Sequence, residues 1–297
     1  MQSNFHSHCL FCDGRASMEA FIRFAVAKNL RYYGISCHAP VPFPNKWSMK
    51  EEDVEEYRQE FFRLQEKYKF EMELYLGLEV DYIPCIANVK DDVVQNWQWD
   101  YLISSIHHLG QFPDGRFWNI DGSITSFKKG LDAIFSGDVF AATKLFYRYT
   151  CEMIELGGFD IIGHIDKIAA NGRKISGFNI SDKWYDNLIQ EAFLLLAEKG
   201  IIVEINTKSF YEKGIIFPDI RYFKQLRQLG IPVTVNSDCH YPDKVINGFH
   251  EVYKLLQEAG FKTVRILKDG EWQDVPFYHS SKFSPNKVSI PAMFEWE

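Results

Sequence analysis

The sequence predicts an α/β barrel of the TIM-like kind, with its functional site at the C-terminal ends of the strands. Two observations carry that expectation. Seven β-branched and aromatic segments alternate with longer helical stretches along nearly the whole chain, the pattern of a parallel sheet. Seven of the nine histidines fall at or just beyond the ends of those segments, on the face where the βα loops of a barrel converge. With 297 residues, the chain has the length of one such barrel, and no Pro/Gly/Ser-rich linker, low-complexity run or repeat divides it. Residues 1–297 therefore read as one domain.

The first strand, 4–9, carries NFHSHC. Ser17 then stands as the N-cap of a helix over 17–29, with Glu19 in its first turn. A strand over 32–38 follows, ending in SCH. Ser48 and Glu51 have the spacing of a capping box and predict a helix over 51–67. Strands at 71–80 and 101–107 come next, then an insertion of about 110–157 whose part from 125 to 157 reads as two helices. The strand at 159–164 closes on GH. A helix over 181–199 stops at Gly200 and leads into a strand over 201–206; a helix over 219–229 stops at Gly230 and leads into a strand over 231–236. After a helix over 244–259, an extension of about 262–297 opens with a hairpin turning at Asp269-Gly270.

Composition narrows the functional classes. The net charge of −7 and dispersed Lys and Arg argue against a nucleic-acid groove or an acidic membrane surface. Apolar runs such as AFLLLA (192–197) are too short to span a bilayer. Six cysteines without a secretory leader read as reduced thiols, which places the protein in the cytoplasm.

The chemistry is expected among His6, His8, His38, His107, His108, His164 and His240, with Asp13, Glu79 and Asp238 nearby; only His250 and His279 lie elsewhere. Neutral imidazole with carboxylate is the usual ligand set for zinc, manganese or iron. Strand parity puts His6 and His8 on one face and Cys9 on the other. Cys37 and Cys239 are likewise out of phase with the histidines beside them, so all three read as small buried hydrophobes. The Cys9-x-x-Cys12 spacing lacks the second pair that a structural zinc site needs, and Cys12 has no assigned role. His107 and His108 cannot both face one cavity from a regular strand, so His107 is taken as the ligand and His108 as a supporting residue. Glu79, with Asp81 in phase, is either a solvated strand end or a bridging carboxylate.

Taken together, HSH, SCHAP, GLEVDY, SSIHHL, GHIDKI and SDCHYP, in that order across 4–242, resemble the polymerase-and-histidinol-phosphatase (PHP) superfamily of metal-dependent phosphoesterases. The GLEVDY and SIHHL blocks, the long insertion and FPDIRYFKQLRQLGIPVTVNSDCHYP resemble its histidinol-phosphate phosphatase type. The resemblance implies a distorted (β/α)7 barrel holding three divalent ions (Zn, Mn or Fe). It assigns His6, His8, Glu79 and Asp238 to the first ion, Glu79, His107 and His164 to the second, and Asp13, His38 and His240 to the third. Asp13 stands where many relatives have histidine, and SCH replaces the common S/T-D-H. After EINT this chain has TKSFYEKG in place of the small, glycine and basic residues common in relatives, so Lys208 or Lys213 is expected to meet phosphate, with Arg173 as a further candidate.

The implied activity is hydrolysis of a phosphate monoester, L-histidinol phosphate first among them, with Asp238 or His240 moving the leaving-group proton. Trp118, Asp121 and Phe210 are candidates for the substrate's ammonium. A different small phosphate ester, or a metal-binding module without activity, are the alternatives. The expected partner is a small phosphate ester, with no nucleic acid and no membrane, and homo-oligomerisation is left open.

Overall fold

The computed structural model describes residues 3–277. In chain order the strands are β1 (Ser3–Asn4), β2 (Tyr32–Ile35), β3 (Glu73–Asp81), β4 (Tyr101–Ser105), β5 (His108–Gln111), β6 (Phe117–Asn119), β7 (Ile161–Ile162), β8 (Ile202–Asn206), β9 (Val233–Asn236), β10 (Thr263–Lys268) and β11 (Glu271–Pro276). The helices are α1 (Met18–Ala27), α2 (Val54–Tyr68), α3 (Asp92–Gln95), α4 (Ile124–Phe135), α5 (Val139–Leu156), α6 (Ala169–Gly172), α7 (Lys183–Lys199), α8 (Phe210–Lys213), α9 (Phe223–Gln228) and α10 (Phe249–Glu258).

All seven predicted strands exist and pair in parallel in the order β1-β2-β3-β4-β7-β8-β9. The open edges meet where Ser7 bridges Cys239 and the His8 amide donates to the Cys239 carbonyl at 3.0 Å, nearly closing the barrel. Tyr101 fills its interior and donates its hydroxyl to the Phe5 carbonyl at 2.6 Å. Glycine is required opposite it: a Cβ on Gly34 would lie 2.2 Å from the Tyr101 hydroxyl, and one on Gly77 2.4 Å from its ring.

The β10–β11 hairpin turns at Asp269-Gly270, both with positive φ, as the type I′ chemistry of that pair requires. Its Trp272 packs on Phe5 and Tyr101 and donates to Asp160 at 2.9 Å, stopping the N-terminal mouth of the barrel. The remainder of the predicted extension, 278–297 with His279, lies outside the described residues. Among the described residues no helix is long and apolar enough to cross a membrane.

Several boundaries differ from the sequence expectation. The segment 4–9 is regular only over β1, and 159–164 only over β7, where His164 leaves the strand with positive φ (22°). Asn45, not Ser48, organises the turn before α2: its Oδ1 accepts from the amides of Trp47 (2.9 Å) and Ser48 (2.8 Å). The predicted capping box therefore does not form, and α2 starts at Val54 after a tight turn over Glu51–Asp53. The helix expected over 244–259 starts at Phe249, since Gly248 is left-handed (φ 71°). Ser17 caps α1 as predicted, accepting from the Ala20 amide. The insertion holds the two expected helices, α4 and α5, and also the β5–β6 hairpin, which the sequence pattern does not reveal.

Candidate metal centre

The side chains singled out at the strand ends converge on Glu79, which is buried at the end of β3. Its Oε2 lies 3.1 Å from His6 Nε2, 3.5 Å from His8 Nε2 and 3.0 Å from His38 Nδ1. Its Oε1 lies 3.1 Å from His164 Nε2 and 3.6 Å from His107 Nε2. Asp238 Oδ1 is 3.3 Å from His8 Nε2 and 3.8 Å from His6 Nε2. Asp13 Oδ1 is 3.1 Å from His240 Nε2, 3.8 Å from His38 Nε2 and 4.0 Å from His8 Nδ1. Two ligand-bearing residues leave their strands through left-handed backbone, His164 with φ 22° and Asp238 with φ 46°, a conformation that non-glycine residues hold chiefly where the surroundings enforce it.

Buried acids orient these rings from behind. Glu204, fully buried on β8, accepts four contacts. Oε1 takes His6 Nδ1 (2.6 Å) and Asn236 Nδ2 (3.1 Å), and Oε2 takes the His164 amide (3.0 Å) and Asn206 Nδ2 (2.9 Å). An ionised carboxylate only accepts, so His6 Nδ1 carries a proton and Nε2 is the nitrogen turned to Glu79 and Asp238, the position where a cation would take the place of a second ring proton. Asp81 does the same for β4 and β5. Its Oδ1 takes the His107 amide (3.0 Å) and His107 Nδ1 (3.1 Å), and its Oδ2 takes His108 Nδ1 (2.7 Å). Among the described residues His108 pairs with Asp81 and with no other acid. Glu204 was missed because a glutamate inside the apolar run IIVEIN gives no spacing signal of its own.

The charge balance shows what the pocket wants. Burial opposes ionisation of Glu79, yet His6, His38 and His107 hold its pKa well below the usual carboxylate range. Burial opposes charge on His6 too, but Glu204, Glu79 and Asp238 raise its pKa well above the ordinary value. His38 goes the other way, lowered to about 4, chiefly by burial. Five atoms in the cluster are buried without a hydrogen-bond partner: His6 Nε2, His8 Nε2, Asp13 Oδ1, Glu79 Oε2 and His164 Nδ1. Leaving a buried polar atom unpaired costs about 1–3 kcal/mol, and three of these five, His6 Nε2, His8 Nε2 and Glu79 Oε2, face one another across gaps of 3.1 and 3.5 Å. His107 Nε2 and His164 Nε2 likewise face each other at 3.1 Å. Divalent cations fit this donor set. Three groups have ligand atoms close enough to share an ion: His8, Asp13, His38 and His240; His6, His8 and Asp238; His38, Glu79 and His107.

The sequence profile of the PHP domain matches residues 4–208, more than two thirds of the chain. The chain belongs to the PHP domain family. A curated protein of Deinococcus radiodurans named a probable histidinol-phosphatase is 26% identical over 265 residues, covering 87% of this chain and 94% of that one. Among solved structures, a putative histidinol phosphatase of Listeria monocytogenes superposes with a TM-score of 0.73 at 20% identity, covering 84% of this chain and 99% of that one. The histidinol phosphate phosphatase of Lactococcus lactis, solved with zinc, L-histidinol and phosphate, gives 0.70 at 18%, covering 92% and 98%.

The other predicted residues of this PHP domain divide into those at the cluster and those away from it. Lys208 Nζ reaches Asp238 Oδ1 (3.0 Å) and His240 Nε2 (3.4 Å). Lys167, which the sequence reading passed over inside GHIDK, is buried and paired with Asp121 Oδ2 at 2.9 Å. Arg173 forms its ion pair with Asp219 at 2.5 Å, not with the cluster. Lys213 is exposed. Trp118 cannot meet a substrate: it is buried against Phe127 and Phe135 beneath α4. Phe210, on α8, packs beside Gly248. Cys9 and Cys37 turn away from the cluster, as parity predicts, and meet each other at 3.4 Å. Cys12, left without a role by the sequence, lies 3.5 Å from His8 Nδ1.

Proposed function

We propose that this chain is a metal-dependent phosphatase that converts L-histidinol phosphate and water to L-histidinol and phosphate. The observation that carries the proposal is the convergence of nine candidate ligands on one pocket, with Glu79 presenting each oxygen to a different group of imidazoles. The chemistry of the relatives supplies the substrate.

In this reading His6, His8, Glu79 and Asp238 hold one ion, Glu79, His107 and His164 a second, and Asp13, His38 and His240 a third. Bound there, zinc, manganese or iron would acidify water and draw charge from the phosphate oxygens. The chain's own groups do the rest. Glu204 and Asp81 fix the imidazole tautomers. Lys208, at the edge of the cluster, offers its ammonium to a phosphate oxygen. His240 donates Nδ1–H to the Asp238 carbonyl at 3.1 Å, which commits Nε2 to the side of Asp13 and the third ion and leaves the leaving-group proton to the Asp238 carboxylate. Arg173 enters as a rim residue, since engaging phosphate would require it to leave Asp219.

The test is phosphate release from L-histidinol phosphate by the purified protein with Mn²⁺ or Zn²⁺. Turnover is expected, together with a loss of at least about 100-fold and of bound metal in Glu79→Gln. No release from this substrate, with turnover of another monoester, overturns the substrate; near-normal metal content and rate in Glu79→Gln overturn the bridging role.

A further inference from the structure

The mechanism above gives no task to Asp121, yet the insertion presents this residue to the cluster with unusual care. The Ile120 amide donates to the carbonyl of His107 at 2.9 Å, tying the loop to a candidate ligand. Buried Asn171 donates from Nδ2 to the carbonyls on both sides of Asp121, Ile120 at 3.1 Å and Gly122 at 2.9 Å. The Asp121 amide itself donates to Asn119 Oδ1 at 2.8 Å. Four hydrogen bonds thus fix the backbone at this point. The carboxylate pairs through Oδ2 with Lys167, whose ammonium also lies over the Phe217 ring, 5.3 Å from its centroid. Among the described residues no hydrogen bond engages Oδ1, and the side chain is about one-third exposed (35%).

From this arrangement we propose that Asp121 is the specificity-determining residue that reads the substrate's ammonium. The inference rests on the phosphomonoesterase reading of the cluster. In L-histidinol phosphate only two carbons and the ester oxygen separate the amine nitrogen from phosphorus. A phosphate held beside the cluster and Lys208 therefore brings the ammonium to the nearest flank of the pocket. Asp121 stands on that flank, with Oδ2 neutralised by Lys167 and Oδ1 open to accept. Lys167 plays two parts: it anchors the carboxylate and adds positive charge on the phosphate side. A dianion flanked by an ammonium then meets lysine and acid in matching order.

The experiment compares L-histidinol phosphate with its desamino analogue, 3-(imidazol-4-yl)propyl phosphate, on metal-loaded wild type, Asp121→Asn and Asp121→Glu. For the amine substrate, Asp121→Asn is expected to lower kcat/KM about 10- to 100-fold, the range of a lost charge-assisted hydrogen bond, mostly through KM. The desamino ester should change less than about threefold, and Asp121→Glu should recover part of the loss. Equal losses on both esters would mean that Asp121 acts only by holding Lys167, and no loss on either would mean that it reads nothing; both overturn the proposal. If wild type is silent on L-histidinol phosphate, the proposed function fails. The Asp121 inference is then decided on the best monoester of a panel, paired with and without an amine next to the ester carbon. Discrimination below about threefold in wild type overturns it.

Discussion

Replacing Glu204 by Gln tests whether the carboxylate behind the cluster sets its metal affinity. Each Glu204 oxygen accepts two donors, His6 Nδ1 with Asn236 Nδ2, and the His164 amide with Asn206 Nδ2. Glutamine keeps the shape but turns one oxygen into an amide with two donors of its own. If the amide faces His6, the ring must move its proton to Nε2, which points at Glu79 Oε2 3.1 Å away and then has no lone pair for a cation. If the amide faces His164, two buried donors lose their acceptor. Either orientation leaves two unmatched donors at about 1–3 kcal/mol each, so the expected destabilisation is on the order of 2–6 kcal/mol. Loss of such a supporting acid typically weakens metal binding by about 10- to 100-fold, about 1.4–2.7 kcal/mol. The assay is metal content after dialysis against a buffered chelator, with activity titrated against added Mn²⁺ or Zn²⁺ and the melting temperature followed in parallel. Activity should fall at low metal and recover in part at high metal. A variant with wild-type metal affinity and an unchanged melting temperature would refute the assignment of Glu204 as the group that fixes His6.

Two further outcomes follow from the same geometry. Asp81→Asn should weaken metal retention and activity by about 10- to 100-fold, because the asparagine amide cannot accept from both His107 and His108; full retention of metal would count against the shared-carboxylate role. Stripping metal from the native protein should lower its melting temperature, since five buried cluster atoms are left without a partner; calorimetry that finds no shift on adding Zn²⁺ or Mn²⁺ back would contradict the cation fit.

The barrel, its seven parallel strands and the candidate ligands were legible in the chain alone. These are local properties: alternation of strand and helix patterns, histidine at strand ends, and the period of two that separates His6 and His8 from Cys9. Turn chemistry was equally legible where it is local, as at Ser17, Gly200 and Asp269-Gly270. The capping box at Ser48 failed because a competing side chain three residues earlier, Asn45, captured the Ser48 amide that Glu51 would have taken. How distant segments meet was not legible there. Glu204 and His6 are 198 residues apart, and nothing in IIVEIN distinguishes a carboxylate that orients a ligand from one facing solvent. Asp81 was visible as in phase with Glu79, but its sharing between His107 and His108 depends on β3 and β4 lying in register. Lys167 and Asp121 belong to different elements and acquire meaning only as a pair at the pocket's flank. Side-chain periodicity fixes which face a residue takes; the closing of the sheet fixes what it faces, because charge and hydrogen bonding in a buried site depend on partners that chain spacing does not record.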